Sequence, residues 1–357
     1  MSPFDAFLLL AAFVLILVGA ELFTNGVEWL GHLLGMSEGA TGSILAAIGT
    51  ATPETLVPIV AILFTNSVEA DDIGVGAILG APFMLGTLVM LLIGATAFFL
   101  RKRRGRTTLR VDRAHASRDL GFFLVMYSAA VAIALIPPLR EQKGVLGWAF
   151  LPTYGLYLFL VLRTPVASAA DIEEAAEEHE AFDALSFASY LKRAGLPLDP
   201  HQPPGWLIVG QTLLAFGGIL FGAKIFAAWI DGFSHAMGFN ALLVALLLAP
   251  LATELPEAAN SLIWTKDGKD VIALGNVAGA MVFQSTVPVT VGVLLTPWIL
   301  GPFGTVAAIF ALISGALIFV QLRFRTRDDS LPLSSLVLGG GLYFIFIAYV
   351  IKSIVAG

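Results

Sequence analysis

Thr50-Ala51-Thr52-Pro53-Glu54 and Thr253-Glu254-Leu255-Pro256-Glu257 are the two stretches on which the reading of this chain turns. Each lies inside a long apolar run, and the second follows the first at an offset of 203 residues. A carboxylate within apolar sequence of membrane-spanning length is expensive to bury and is kept where it has a task. The proline next to it removes an amide donor and leaves a carbonyl of the preceding turn without its usual partner. Two copies of the combination point to an internal duplication with a cation site where the copies meet.

The composition agrees. The chain has 357 residues, of which 57% are hydrophobic and only 13% charged. Soluble globular domains do not have this balance, so a polytopic, all-α membrane protein is expected. Apolar runs of the required length, about 20 residues, predict ten helices near 4–31, 38–65, 73–100, 118–137, 145–163, 205–231, 240–265, 271–299, 303–322 and 332–352. The stretch from Met1 to Gly19 is acidic at Asp5 and continues into later apolar sequence, so it reads as the first span rather than a cleaved signal peptide. There is no cysteine, which excludes a disulfide framework, thiolate chemistry and cysteine-ligated metals.

The charges are segregated. The linker after the third span carries Arg101, Lys102, Arg103, Arg104, Arg106, Arg110, Arg113 and Arg118, eight of the 20 basic residues. The linker after the ninth carries Arg323, Arg325 and Arg327. With ten spans both fall on one side, which the positive-inside rule makes cytoplasmic, with both termini outside. Short loops suggest a prokaryotic inner membrane. The segment 164–204 differs: Glu173, Glu174, Glu177, Glu178 and Glu180 are followed by Pro197, Pro200, Pro203 and Pro204, which reads as an acidic helix and a proline-rich cytoplasmic tether without EF-hand spacing. It divides the chain into five-span halves, 1–163 and 205–357. Gly19, Thr50, Pro53 and Glu54 fall on Gly222, Thr253, Pro256 and Glu257, and beyond the kinks Asp71, Gly76 and Gly80 fall on Asp270, Gly275 and Gly279. Five spans is an odd number, so the halves are expected to be inverted repeats, kinked in helices 2 and 7.

Thr50 and Glu54 are four residues apart and share a helix face, as do Thr253 and Glu257. Pro53 and Pro256 release the carbonyls of Gly49 and Ala252. Together the kinks supply roughly six hard oxygens, a set suited to calcium. No histidine lies there, which argues against zinc or copper. Glu254 adds a third carboxylate close to the face of Glu257. Three uncompensated charges cannot coexist, so either a divalent cation neutralises two of them or one takes up a proton. Asn276 and Gln284 are candidates to complete the shell, or else to make helix-to-helix hydrogen bonds. The glycines at 74, 76, 80 and 86 read as close-packing positions. Glu21 and Lys224 read as an intramembrane pair, Glu28 and Asp231 as span-end residues reaching water, and the five histidines as solvated linker residues.

At the kinks the chain resembles the calcium/cation antiporter superfamily, which includes the sodium/calcium exchangers. That family's alpha repeats read G-T-S-x-P-E followed by G-N-x-x-G-S-N-x-F. Here they read GTATPE (49–54) with GAILGAPFM (76–84), and ATELPE (252–257) with GNVAGAMVF (275–283). The resemblance implies that Glu54 and Glu257 bind calcium, that Thr50 and Thr253 line the same site, and that Asn276 is the asparagine of the second G-N pair. Ala81, Pro82, Ala280 and Met281 stand where the family's serine and asparagine or aspartate help hold sodium, and Ala51 and Glu254 replace the motif serine. These departures imply coupling to protons or to fewer sodium ions.

The expected function is therefore secondary antiport of a divalent cation, calcium, against sodium or protons, with a monovalent sodium/proton antiporter as the alternative. The expected partners are inorganic cations and the lipid bilayer, with no nucleic acid and no cofactor beyond the transported ions. An intramembrane enzyme is disfavoured, because neither HExxH, a serine–histidine arrangement nor a nucleotide-binding loop is present.

Overall fold

Glycines set the closest approach in the bundle. The structure, a computed structural model, describes residues 3–34, 46–65, 67–163, 184–325 and 329–356. Its principal helices are α1 (Pro3–Leu33), α2 (Ala46–Phe64), α3 (Ala70–Met84), α4 (Met90–Phe99), α5 (Arg113–Leu135), α6 (Lys143–Arg163) and α7 (Ser186–Arg193). They are followed by α8 (Gly205–Met237), α9 (Ala241–Thr253), α10 (Leu255–Asp267), α11 (Asp270–Gln284), α12 (Val287–Leu295), α13 (Gly301–Val320) and α14 (Leu333–Ala356). A π-helical turn, Leu85–Val89, joins α3 to α4. Among the described residues eight helical segments are long and apolar enough to cross a membrane, and α9 with α10 makes a ninth, bent by 54°. The apolar helix α2 is shorter.

Helix α3 is buried along nearly its whole length and lies against α9. A Cβ added to Gly76 would sit 2.3 Å from the carbonyl oxygen of Leu242, and one added to Gly80 would sit 2.3 Å from that of Leu246. The two backbones therefore touch through a small-xxx-small stripe, the means by which helices pack closely in lipid. This contact sets the end of α9, and with it Thr253 and Glu254, beside α3. The longest helices, α1 and α8, pack together along their length with Gly19 and Gly222 in the contact. Glu21 and Lys224 do not pair: among the described residues no ion pair joins them, and both are exposed on α1 and α8. The faces that carry the glycines are the ones the helices use, and the two charged residues lie off them.

The two basic linkers meet at one end of the bundle. Thr108–Arg110 (β1) pairs antiparallel with Ser330–Pro332 (β2), Leu109 opposite Leu331. Arg113 donates to the carbonyl of Leu322 at 2.6 Å. Beside this ribbon Asp270, at the start of α11 with a fully buried side chain, accepts from Arg104, from Arg106 at 2.8 Å and from the amide of Arg110 at 2.9 Å.

Beyond the Glu21–Lys224 pair, two further expectations need correction. The first concerns Pro53 as a helix breaker: α2 runs as one helix from Ala46 to Phe64 with Pro53 and Pro58 inside it, so the proline costs a hydrogen bond without ending the helix. The second concerns 164–204. Residues 164–183, with the acidic run, lie outside the described residues, but the tether after them contains helix α7. Its first amides have no side-chain cap of their own. Ser186 N–H donates to Asn25 Oδ1 at 3.0 Å and Phe187 N–H to Gln211 Oε1 at 2.8 Å, so α1 and α8 supply the missing partners. Leu185 and Ala188 are buried in the same contact with Trp29, Leu207 and Ile208.

Gly80→Val should force α3 off α9 and cost about 1–3 kcal/mol, read as a lowered thermal midpoint in detergent; an unchanged midpoint would contradict the close contact. Asp270→Asn should destabilise by about 3–5 kcal/mol, the cost of leaving a buried partner charge uncompensated, with the same readout.

Candidate functional site

The bend between α9 and α10 builds the site. Helix α9 ends at Thr253, Glu254 occupies the corner at φ −98 and ψ −4, and α10 starts at Leu255. Pro256 falls in the first turn of α10, where its missing N–H has no intrahelical partner to lose. The corner keeps its local bonds, with Glu254 N–H donating to the Pro250 carbonyl at 2.8 Å and Ala258 N–H to the Glu254 carbonyl at 2.9 Å. What changes at the corner is direction: Glu254 and Glu257 both turn toward α2.

Three carboxylates converge there. Glu54 of α2, Glu254 of the corner and Glu257 of α10 are all buried, and each offers an oxygen within 4.8 Å of the others. Both oxygens of Glu254 are engaged: Thr253 Oγ1 donates to Oε1 at 2.8 Å, and Gln284 Nε2 of α11 donates to Oε2 at 2.7 Å. Two acceptors are left over. Glu257 Oε2 and Gln284 Oε1 are buried without a hydrogen-bond partner. Among the described residues no lysine, arginine or histidine forms an ion pair with any of the three glutamates. A buried acceptor left unpaired costs free energy, and a hard cation satisfies such oxygens. Beside Glu54 a small cavity, with space for about one water-sized sphere, is lined by Ala77, Ala81, Thr253, Gln284 and Pro288 among others.

The remaining expected residues divide. Thr253 is buried and serves Glu254. Thr50 is helical on α2, and its side chain lies outside the described part of the structure. Asn276 does not touch a carboxylate; its Nδ2 donates to Ser261 Oγ at 3.1 Å and to the Glu257 carbonyl at 3.3 Å, fastening α11 to α10. Ser261 was not singled out in the sequence, although it lies four residues after Glu257 and is fully buried; that spacing was the available signal.

The model of the family described as sodium/calcium exchanger protein matches residues 4–163 and 207–355. The chain is 25% identical over 318 residues to the candidate antiporter CaxA of Alkalimonas amylolytica, covering 88% of each chain. It is 23% identical over 347 residues to the inner membrane protein YrbG of Escherichia coli (strain K12), covering 96% of each. Its fold is similar to the crystal structure of the H+/Ca2+ exchanger CAX, with a TM-score of 0.67 at 16% identity over 98% of this chain and 82% of that one. The chain belongs to the sodium/calcium exchanger protein family, and is thus a multi-span membrane cation/calcium antiporter rather than an enzyme.

Proposed function

We propose that this antiporter exchanges calcium outward against protons by alternating access at the three-glutamate site. The observation that carries the reading is the convergence of Glu54, Glu254 and Glu257, buried, without an ion-paired cationic side chain among the described residues, and with Glu257 Oε2 and Gln284 Oε1 unpartnered. Glu54, Glu257 and Gln284 hold the calcium ion in this reading, and Glu254 carries the proton that competes with it. Thr253 positions Glu254, Asn276 positions α10, and Thr50 joins the site from α2. The preference for protons over sodium rests on Ala77 and Ala81, which line the wall beside Glu54 and offer no side-chain oxygen.

The wider architecture in this reading has ten spans: α1, α2, α3–α4, α5, α6, α8, α9–α10, α11–α12, α13 and α14. They form two inverted five-helix repeats, 1–163 and 205–357, joined by the cytoplasmic linker 164–204. Support comes from irregularities that recur at matching places. The π-turn Leu85–Val89 and the break at Ser285–Thr286 coincide at the offset that aligns Asp71 with Asp270. The adjacency of the two basic linkers supports one cytoplasmic end with both termini outside. The match to an inner membrane protein supports a prokaryotic plasma membrane.

In proteoliposomes, Glu54→Gln and Glu257→Gln should abolish calcium uptake driven by a proton gradient while leaving the gel-filtration profile unchanged; wild-type uptake by either variant would remove the central claim. Glu254→Gln should flatten the pH dependence of uptake, and a profile identical to wild type would take the proton away from Glu254. Calcium at a hundredfold excess over its Kd should stabilise the protein by about 2.7 kcal/mol, seen as a raised thermal midpoint. Stabilisation by sodium with none by calcium would favour a monovalent antiporter on the same scaffold.

A further inference from the structure

We propose a second metal site, of the zinc class, at the opposite end of the bundle from the β-ribbon, made by Glu69, Asp231 and His235. Glu69 stands just before α3, and Asp231 and His235 lie one turn apart near the end of α8. His235 Nε2 is 3.5 Å from Asp231 Oδ1 and 3.8 Å from Glu69 Oε1, and one ligand atom from each residue lies within 4.8 Å of the others. Zinc bonds of about 2.0–2.1 Å in tetrahedral geometry separate ligand atoms by roughly 3.3–3.4 Å. The cluster is thus close to ligating distance, and His235, 62% exposed, has room to close the remainder.

Several features separate this cluster from an ordinary acidic surface. Glu69 Oε2 is buried without a hydrogen-bond partner. The Ser67 hydroxyl donates to the Asp231 carboxylate, as outer-shell groups do around metals, and accepts from the Glu69 backbone amide at 3.1 Å, which ties the backbone at Glu69 to Asp231. No lysine or arginine forms an ion pair with either carboxylate among the described residues, and Asp71 and Asp72 follow in the first turn of α3. The other end of the molecule shows the contrast, since Asp270, at the position aligned with Asp71, is clamped by Arg104 and Arg106. The imidazole decides the metal. The central site is built of oxygens and suits calcium, whereas two carboxylates with one imidazole suit zinc, leaving a fourth position for water. A metal held here ties the end of α8 to the turn before α3.

The test uses the purified full-length protein in detergent, with calcium in excess to occupy the central glutamates. Cobalt(II) titration should give visible absorption bands of tetrahedral strength, which zinc abolishes, and zinc should raise the thermal midpoint. His235→Ala removes an exposed side chain and should weaken zinc binding by more than about tenfold, as should Glu69→Gln, whereas Glu54→Gln should keep it. The proposal is overturned if no cobalt spectrum develops, if His235→Ala binds zinc like wild type, or if Glu54→Gln loses zinc binding while His235 is intact. Calcium transport is not part of the readout, so failure here leaves the central-site reading standing.

Discussion

Three carboxylates held within 4.8 Å of one another in a buried space are the condition that the rest of the structure accommodates. Their mutual repulsion and desolvation disfavour the arrangement unless positive charge arrives. Many features of the fold act to hold the glutamates in place. The 54° bend turns Glu254 and Glu257 toward α2, Gln284 reaches in from α11, and Asn276 locks α10 to α11 through Ser261. A site assembled from α2, α10, α11 and a helix corner depends on relative helix positions more than on any local loop. That is why the contacts of α3 with α9 at Gly76 and Gly80 bear on the chemistry, although neither glycine carries a functional group.

The two ends of the bundle solve the same electrostatic problem differently. At the ribbon end a buried aspartate has two guanidinium partners and a backbone amide, a closed arrangement with its charge compensated by protein. Among the described residues the glutamates of the central site have only neutral donors, and in the proposed reading compensation is left to the transported ions. On that reading the division separates what must stay fixed from what must exchange: an arginine at the centre would satisfy the carboxylates permanently and exclude the cargo.

Much of this was legible in the sequence. The doubled T-x-x-P-E pattern located Glu54 and Glu257, and the bend does fall at Glu254, between Pro250 and Pro256. The glycines at 76 and 80 proved to be packing positions, and the linkers bearing Arg110 and Arg323 do lie together. What stayed open or went wrong shares a cause. Which of the two roles expected of Asn276 its amide takes, and whether Glu21 meets Lys224, depend on helix rotation, which spacing along one chain does not determine. Helix α7 was missed because its N-terminal partners, Asn25 and Gln211, lie on other helices. Glu69, Asp231 and His235 were passed over because two segments far apart in sequence bring them together.

The clamp on Asp270 also has a consequence for biogenesis. Arg104 precedes Asp270 by 166 residues, so the ribosome makes the arginines long before their partner. Strand β2 comes later still. A chain made only as far as α10 therefore has a cationic linker without this partner until α11 has been made. The ring that then closes is large and entropically slow. Assembly accordingly gains this tie late, and a chain truncated before Asp270 lacks the fastening of the arginine-bearing linker to α11.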